Sequence, residues 1–172
     1  WSSDVCSSDL SISLRRAVEK SSNVATYRLY EELGTRTCMK YLEALNFKGL
    51  DKKDYKYNTT CLGGFTNGTT VVEMAAGYAT IANDGEYRTP DCIIKITDAK
   101  GNDIVPEDTS TKSVYSSSAS RMMTSVLQSC VTEYEGTAHV CQLDVDMPAA
   151  CKTGTTNNYV DGWLCGYTPY YT

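Results

Sequence analysis

The sequence has no apolar run long enough to cross a membrane, no block of basic residues, and no basic, then hydrophobic, start of the secretory type. With a formal charge of -5 and a pI near 4.9, it offers no surface suited to nucleic acid or an anionic membrane. Histidine occurs once, as His139, and none of the cysteines forms a C-x-x-C pair. No zinc cage is expected, nor any other metal or cofactor. The glycines at 63, 64 and 68 are not followed by G-K-[ST], which rules out a phosphate-binding loop. Internal repeats are lacking too, as is low complexity beyond short serine clusters.

What is present suits one globular core. At 172 residues and 41% apolar content, the chain can bury a substantial interior as a single domain. Residues 1–10, Trp-Ser-Ser-Asp-Val-Cys-Ser-Ser-Asp-Leu, match what one reading frame of a widely used sequencing adapter encodes. They are read as a scar with little apolar surface to order, and native sequence is taken as residues 11–172. Both ends are expected to be cuts in a longer protein. Without the scar seven of the eight cysteines remain, an odd number that leaves at least one thiol unpaired. Their apolar settings make them small core residues, and any disulfide pairing stays open.

Leu14, Ala17 and Val18 recur at helical spacing and predict a short helix ending at Ser21-Ser22-Asn23. A second helix follows, with Val24, Ala25, Leu29 and Leu33 as its apolar stripe, Ser22 or Asn23 as its cap and Gly34 as its stop. Thr35 is expected to cap a third, with Cys38, Tyr41, Leu42 and Leu45 on one face. Residues 51–60 are rich in Lys, Asp and Asn and read as a solvated loop. Thr70 and Glu73 form a capping box before a helix whose apolar face is Met74, Ala75, Tyr78, Ala79 and Ala82. A surface hairpin is expected across residues 92–105, a polar loop over 106–113, and a helix over 116–131 with Met122, Met123, Val126, Leu127 and Cys130 inward.

The segment Ala149-Ala150-Cys151-Lys152-Thr153-Gly154-Thr155-Thr156 reads as a strand. Asn157-Asn158 reads as a turn, and the stretch through Trp163, Leu164 and Tyr167 as a returning strand. One ammonium and the Thr153 and Thr155 hydroxyls then share a short strand, and Gly154 leaves a gap where a peptide backbone can lie close. Such an edge can grip a carboxylate. Taken alone, Lys-Thr-Gly reads first as an ordinary hairpin with a solvated lysine, and Ser-Ser-Asn as an ordinary helix cap.

Together they resemble a known set. Lys152-Thr153-Gly154-Thr155, followed by Asp161-Gly162-Trp163 and Gly166-Tyr167-Thr168-Pro169, is similar to the third signature of the penicillin-binding proteins, and Ser21-x-Asn23 resembles the second, S-x-N. The passage from Leu62-Gly63-Gly64 through Glu73-Met74-Ala75 to Gly85 and Pro90 is similar to the stretch between these signatures in class A members. The first signature, S-x-x-K, has no match: no lysine has a serine three residues before it. Its family position precedes S-x-N, so truncation is the expected reason.

The resemblance implies an α+β fold of the transpeptidase and serine β-lactamase type, with a helical region beside an antiparallel sheet. It implies a peptidoglycan D,D-transpeptidase acting on D-Ala-D-Ala stem peptides through an acyl-serine, acylated by β-lactams, and working at the extracytoplasmic face of a bacterial membrane through an anchor outside these residues. Ser21 would relay a proton, Asn23 bind the substrate amide, and Lys152 hold Ser21 and make the cleft positive. Thr153 and Thr155 would take the terminal carboxylate at the Gly154 gap, with the Thr155 N–H as half of an oxyanion hole. Cys151 departs from the glycine often found before this lysine. The 172 residues alone, without the nucleophile, are expected to be inactive. Two alternatives stand beside this reading: a serine β-lactamase, disfavoured by Ser-Ser-Asn in place of Ser-Asp-Asn, and a non-catalytic wall-sensing or scaffolding module.

Overall fold

Three helices open the described chain, two more alternate with short strands through its middle, and a strand pair closes it. The computed structural model describes residues 11–93, 95–105, 108–156 and 159–172. The proposed scar at residues 1–10 and the Asn157-Asn158 turn lie outside the described residues. The elements run α1 (Leu14–Glu19), α2 (Asn23–Leu33), α3 (Thr35–Ala44), α4 (Val71–Ala82), β1 (Glu86–Tyr87), β2 (Ile96–Thr97), β3 (Asp103–Val105), β4 (Lys112–Ser113), α5 (Ser117–Thr132), β5 (Ala150–Thr155) and β6 (Gly162–Tyr167). The strands pair antiparallel as β1 with β4, β2 with β3 and β5 with β6, an α+β arrangement.

Four of the five described α-helix starts are side-chain capped, those of α2 and α4 where the sequence predicts a cap. Ser13, Ser22, Thr70 and Ser116 each accept a backbone N–H at the start of α1, α2, α4 and α5. The Thr70–Glu73 capping box is complete, and Glu73 also accepts the Lys48 N–H at 2.8 Å. These bonds hold the Glu73 carboxyl down at about 2. The exception is α3. Its N-cap is Gly34, at φ +80°, with no side-chain bond from Thr35. One glycine thus ends α2 and begins α3, because the positive φ lets the chain reverse without a linker.

α5 is the central support. Leu127 packs with Ala150 of β5 and Tyr167 of β6, and Cys130 and Val131 pack with Cys151. Val18 of α1 touches both groups, and Tyr78 and Ile81 of α4 close the cluster around Tyr167. The Tyr167 hydroxyl meets Thr124 of α5 at 2.8 Å. The seven described cysteines are thiols.

Several expectations fail. Met122 and Met123 face solvent, the first 66% exposed, because α5 turns Leu127, Cys130 and Val131 toward β5 instead. Val24 and Leu33 of α2 are also exposed, and Tyr30 is the buried residue of that helix. On α4 the buried positions are Ala76 and Thr80, with Ala82 outside. Residues 51–60 are no solvated loop throughout. Asp54 is 1% exposed, its carboxylate accepting the Asp51 and Thr66 N–H groups at 2.8 Å each. Burial pushes that carboxyl up, and these bonds outweigh it and leave it below the ordinary value. A 3-10 turn, Asn58–Leu62, follows. The expected loop before Ser113 holds β4, which pairs with β1 through Glu86 with Ser113 and Tyr87 with Lys112.

Candidate active site

Ser21 stands where α1 hands over to α2. Lys20 ends α1; the Ser21 N–H then bonds the Val18 carbonyl at 3.0 Å and the Ser22 N–H the Ala17 carbonyl at 2.8 Å. This is the Schellman pattern, in which the residue after the cap is left-handed and usually glycine. Here it is Ser21, at φ +52°. A side chain in that conformation costs energy, so the position trades stability for a hydroxyl held at a fixed angle. Ser22 satisfies the N–H of Ala25, and Asn23 opens α2 with its side chain exposed.

Lys152 approaches from the other end of the chain. β5 pairs with β6 in the register Lys152 with Cys165, Thr153 with Leu164, Gly154 with Trp163 and Thr155 with Gly162. One edge of β5 is taken by β6, and no strand occupies the other among the described residues. The root of the strand is anchored by Ala150 and Cys151, both buried. Cys151 is accommodated by Gly166 opposite it: a Cβ there would lie 2.5 Å from the Cys151 sulfur and 2.8 Å from the Ala150 carbonyl oxygen.

The two meet across 131 residues of sequence. The Lys152 ammonium donates to Ser21 Oγ at 2.8 Å and to the Thr153 carbonyl at 2.8 Å. Burial pushes this ammonium below its ordinary value, opposed by the neighbouring Cys130. Among the described residues no carboxylate pairs with Lys152. Its charge is therefore uncompensated and free to attract an anion. Because Ser21 Oγ accepts from Lys152 and the residue is exposed, the serine's own proton can be directed outward. Thr153 is half-buried, while Gly154 and Thr155 are exposed along the strand. The arrangement can hold a carboxylate and pass a proton.

Of the residues singled out from sequence, Ser21, Lys152, Thr153, Gly154 and Thr155 share this locality. Asn23 lies two residues from Ser21 but makes no hydrogen bond to it or to Lys152 among the described residues. No group of His, Cys, Asp and Glu that could hold a metal occurs among them. Sequence reading missed Arg15 and Glu19, one helical turn apart on α1. Arg15 Nη1 donates to the Ser125 carbonyl at 2.7 Å and to Ser129 Oγ at 3.2 Å, and Nη2 donates to Ser125 Oγ at 3.0 Å. Glu19 is buried with Arg16 Nη1 3.2 Å from its carboxylate. Nothing within the six residues of α1 marks them, because Arg15's partners lie on α5.

The model of the penicillin binding protein transpeptidase domain matches residues 1–172. Among curated proteins, the chain is 33% identical over 162 residues to penicillin-binding protein 1A of Clostridium novyi (strain NT), covering 93% of this chain and 18% of that protein. It is 31% identical over 161 residues to penicillin-binding protein 4 of Bacillus subtilis (strain 168), covering 94% and 25%. The chain thus spans a quarter or less of these relatives. Among solved structures, it superposes with a TM-score of 0.75 at 21% identity on the D,D-transpeptidase domain of peptidoglycan glycosyltransferase from Eggerthella lenta, covering 92% of this chain and 45% of that one. PonA1 from Mycobacterium tuberculosis in complex with penicillin V superposes with a TM-score of 0.73 at 23% identity, covering 91% and 44%.

Proposed function

The chain belongs to the penicillin-binding protein transpeptidase family, and on that footing we propose that it forms part of a serine-type D,D-transpeptidase that cross-links peptidoglycan. The observation that carries this reading is the 2.8 Å contact between Lys152 and Ser21, which joins the two family signatures in one place. A nucleophilic serine outside these residues attacks the carbonyl carbon of the D-Ala-D-Ala amide, an ester forms, and the C–N bond breaks. The attacking serine gives its proton to a base beside it, also outside these residues; the departing D-Ala amine takes one from Ser21, which regains a proton from the Lys152 ammonium bonded to its Oγ. The ester carbon is then attacked by an amine of a neighbouring stem peptide, which completes the cross-link.

In the same reading Thr153 and Thr155 bind the terminal carboxylate beside the unpaired Lys152 charge, with Gly154 leaving room for the peptide, and Asn23 hydrogen-bonds the substrate amide. The Thr155 N–H supplies half of an oxyanion hole, a donor worth roughly 3 kcal/mol in the transition state. β-Lactams enter as mimics of the dipeptide. No helix among the described residues is long and apolar enough to cross a membrane; the protein would act at the extracytoplasmic face through an anchor elsewhere in the polypeptide. Residues 1–10 are taken as foreign, and sequencing across the Leu10–Ser11 junction from source DNA tests that.

The functional test is covalent labelling of the full-length protein by a fluorescent penicillin. Lys152→Ala should cut the acylation rate by two orders of magnitude or more, and Lys152→Arg should restore only part, because a planar fork does not replace a compact ammonium. Unchanged labelling in the alanine variant would remove Lys152 from the site.

A further inference from the structure

We propose that Arg15 and Glu19 are positioning residues for Ser21: they clamp α1 to α5, the helix that also backs β5, and so set the distance between the Ser21 hydroxyl and Lys152. The catalytic consequence rests on the transpeptidase reading; the clamp itself does not.

α1 has six residues, too few to hold its own shape or place in water. Yet the Ser21 turn hangs on it, since the Ser21 and Ser22 N–H groups bond the Val18 and Ala17 carbonyls. Any movement of α1 moves Ser21. The turn also carries the strain of a left-handed serine, so something outside it must fix it.

The fixing groups are polar. Arg15 reaches one turn of α5, bonding Ser125 through both backbone and side chain and donating to Ser129 Oγ. The Ser129 hydroxyl accepts from Arg15, donates to the Val126 carbonyl at 2.7 Å and stands beside the Glu19 carboxylate, which is 4% exposed. Arg15 and Glu19 thus meet α5 at the same serine. Arg16 donates to the same carboxylate and is paired on its other side with Glu135, which Lys20 also approaches at 3.4 Å. Thr137 N–H bonds the Glu19 carbonyl at 3.0 Å and ties the end of α1 to the loop after α5.

Two helices could be held as well by apolar side chains, and burying a carboxylate is costly. What a saturated polar cluster adds is a single register. α5 shows the use of that register: Ser125 and Ser129 hold α1, while Leu127, Cys130 and Val131 hold β5. Ser21 and Lys152 are thus located from one ruler.

The experiment uses full-length protein carrying Glu19→Gln or Arg15→Met, with two readouts. Hydrogen exchange followed by mass spectrometry should show the amides of Ser21 and Ser22 exchanging roughly tenfold faster, with the amides of β5 unchanged. Penicillin acylation should slow by roughly tenfold or more at unchanged non-covalent affinity, since small misplacements cost rate more than binding. In a Ser21→Ala background the same substitutions should cost nothing further, and Arg15→Lys should recover part of the loss. Unchanged exchange at Ser21 and Ser22 in a folded variant overturns the clamp, and so does equal acceleration throughout β5. Should Glu19→Gln fail to fold, Arg15→Met carries the test. If the unmodified protein takes up no penicillin while the exchange result holds, the transpeptidase reading fails and the clamp stands.

Discussion

β5 is fixed from behind by apolar contact: Ala150 packs with Leu127, and Cys151 with Cys130 and Val131. The Ser21 turn on the facing wall is fixed by hydrogen bonds and ion pairs from Arg15, Arg16 and Glu19, with Val18 as its apolar link to the same cluster. Apolar packing sets where a strand lies but tolerates small slides, and it holds no charge for screening or acid to act on. A polar cluster fixes a register and answers to both. The wall that presents a charge is the robust one, and the wall that presents a strained hydroxyl is the tuned one.

Breaking the robust wall should have the largest effect on stability. Leu127→Ala removes a 4% exposed side chain at the joint between α5, β5 and β6 and should cost about 3 kcal/mol in chemical denaturation. A cost under 1 kcal/mol would mean that the joint carries little of the fold. The tuned wall should respond in the opposite direction. Ser21→Gly relieves a left-handed side chain and should stabilise the protein by about 1 kcal/mol, while penicillin uptake falls because the hydroxyl is gone. Loss of stability in this variant would show that Ser21 is not strained.

Acid should separate the walls by a smaller margin. The Glu19 carboxyl is held below its ordinary value of 4.5, first by the Ser129 hydrogen bond, then by Arg16 and Arg15, with burial opposing. A depressed carboxyl contributes stability above its unfolded value, and loses it as pH falls through the folded value. No carboxylate belongs to the cluster behind β5. As pH is lowered below 4.5, amide protection at Ser21 and Ser22 should decline before protection in β5. Simultaneous loss would put the two walls under one force.

Much of this was legible in the sequence where neighbours along the chain decide the outcome. The Thr70–Glu73 box and the cap at Ser22 need only a few residues of context, and the β5–β6 alternation needs only a short run. The signatures of the site were readable for the same reason. Met122 misled because helical spacing says which residues share a face, not which of two apolar stripes meets a strand. Asp54 looked solvated because its acceptors are filled by Asp51 and Thr66, the latter twelve residues on. β4 is two residues long, and its partner is remote in the chain. Arg15 and Glu19 were invisible as functional residues because their partners on α5 lie about 110 positions away.

The central claim is that Ser21 and Lys152 act as one unit, and a double-mutant cycle on penicillin acylation in the full-length protein tests it most directly. Ser21→Ala and Lys152→Ala should each slow acylation severely. The double variant should be hardly slower than the worse single, because removing either partner disables the same relay. Losses that multiply, each substitution costing as much with the other present as without it, would show that the 2.8 Å contact joins two residues with separate tasks.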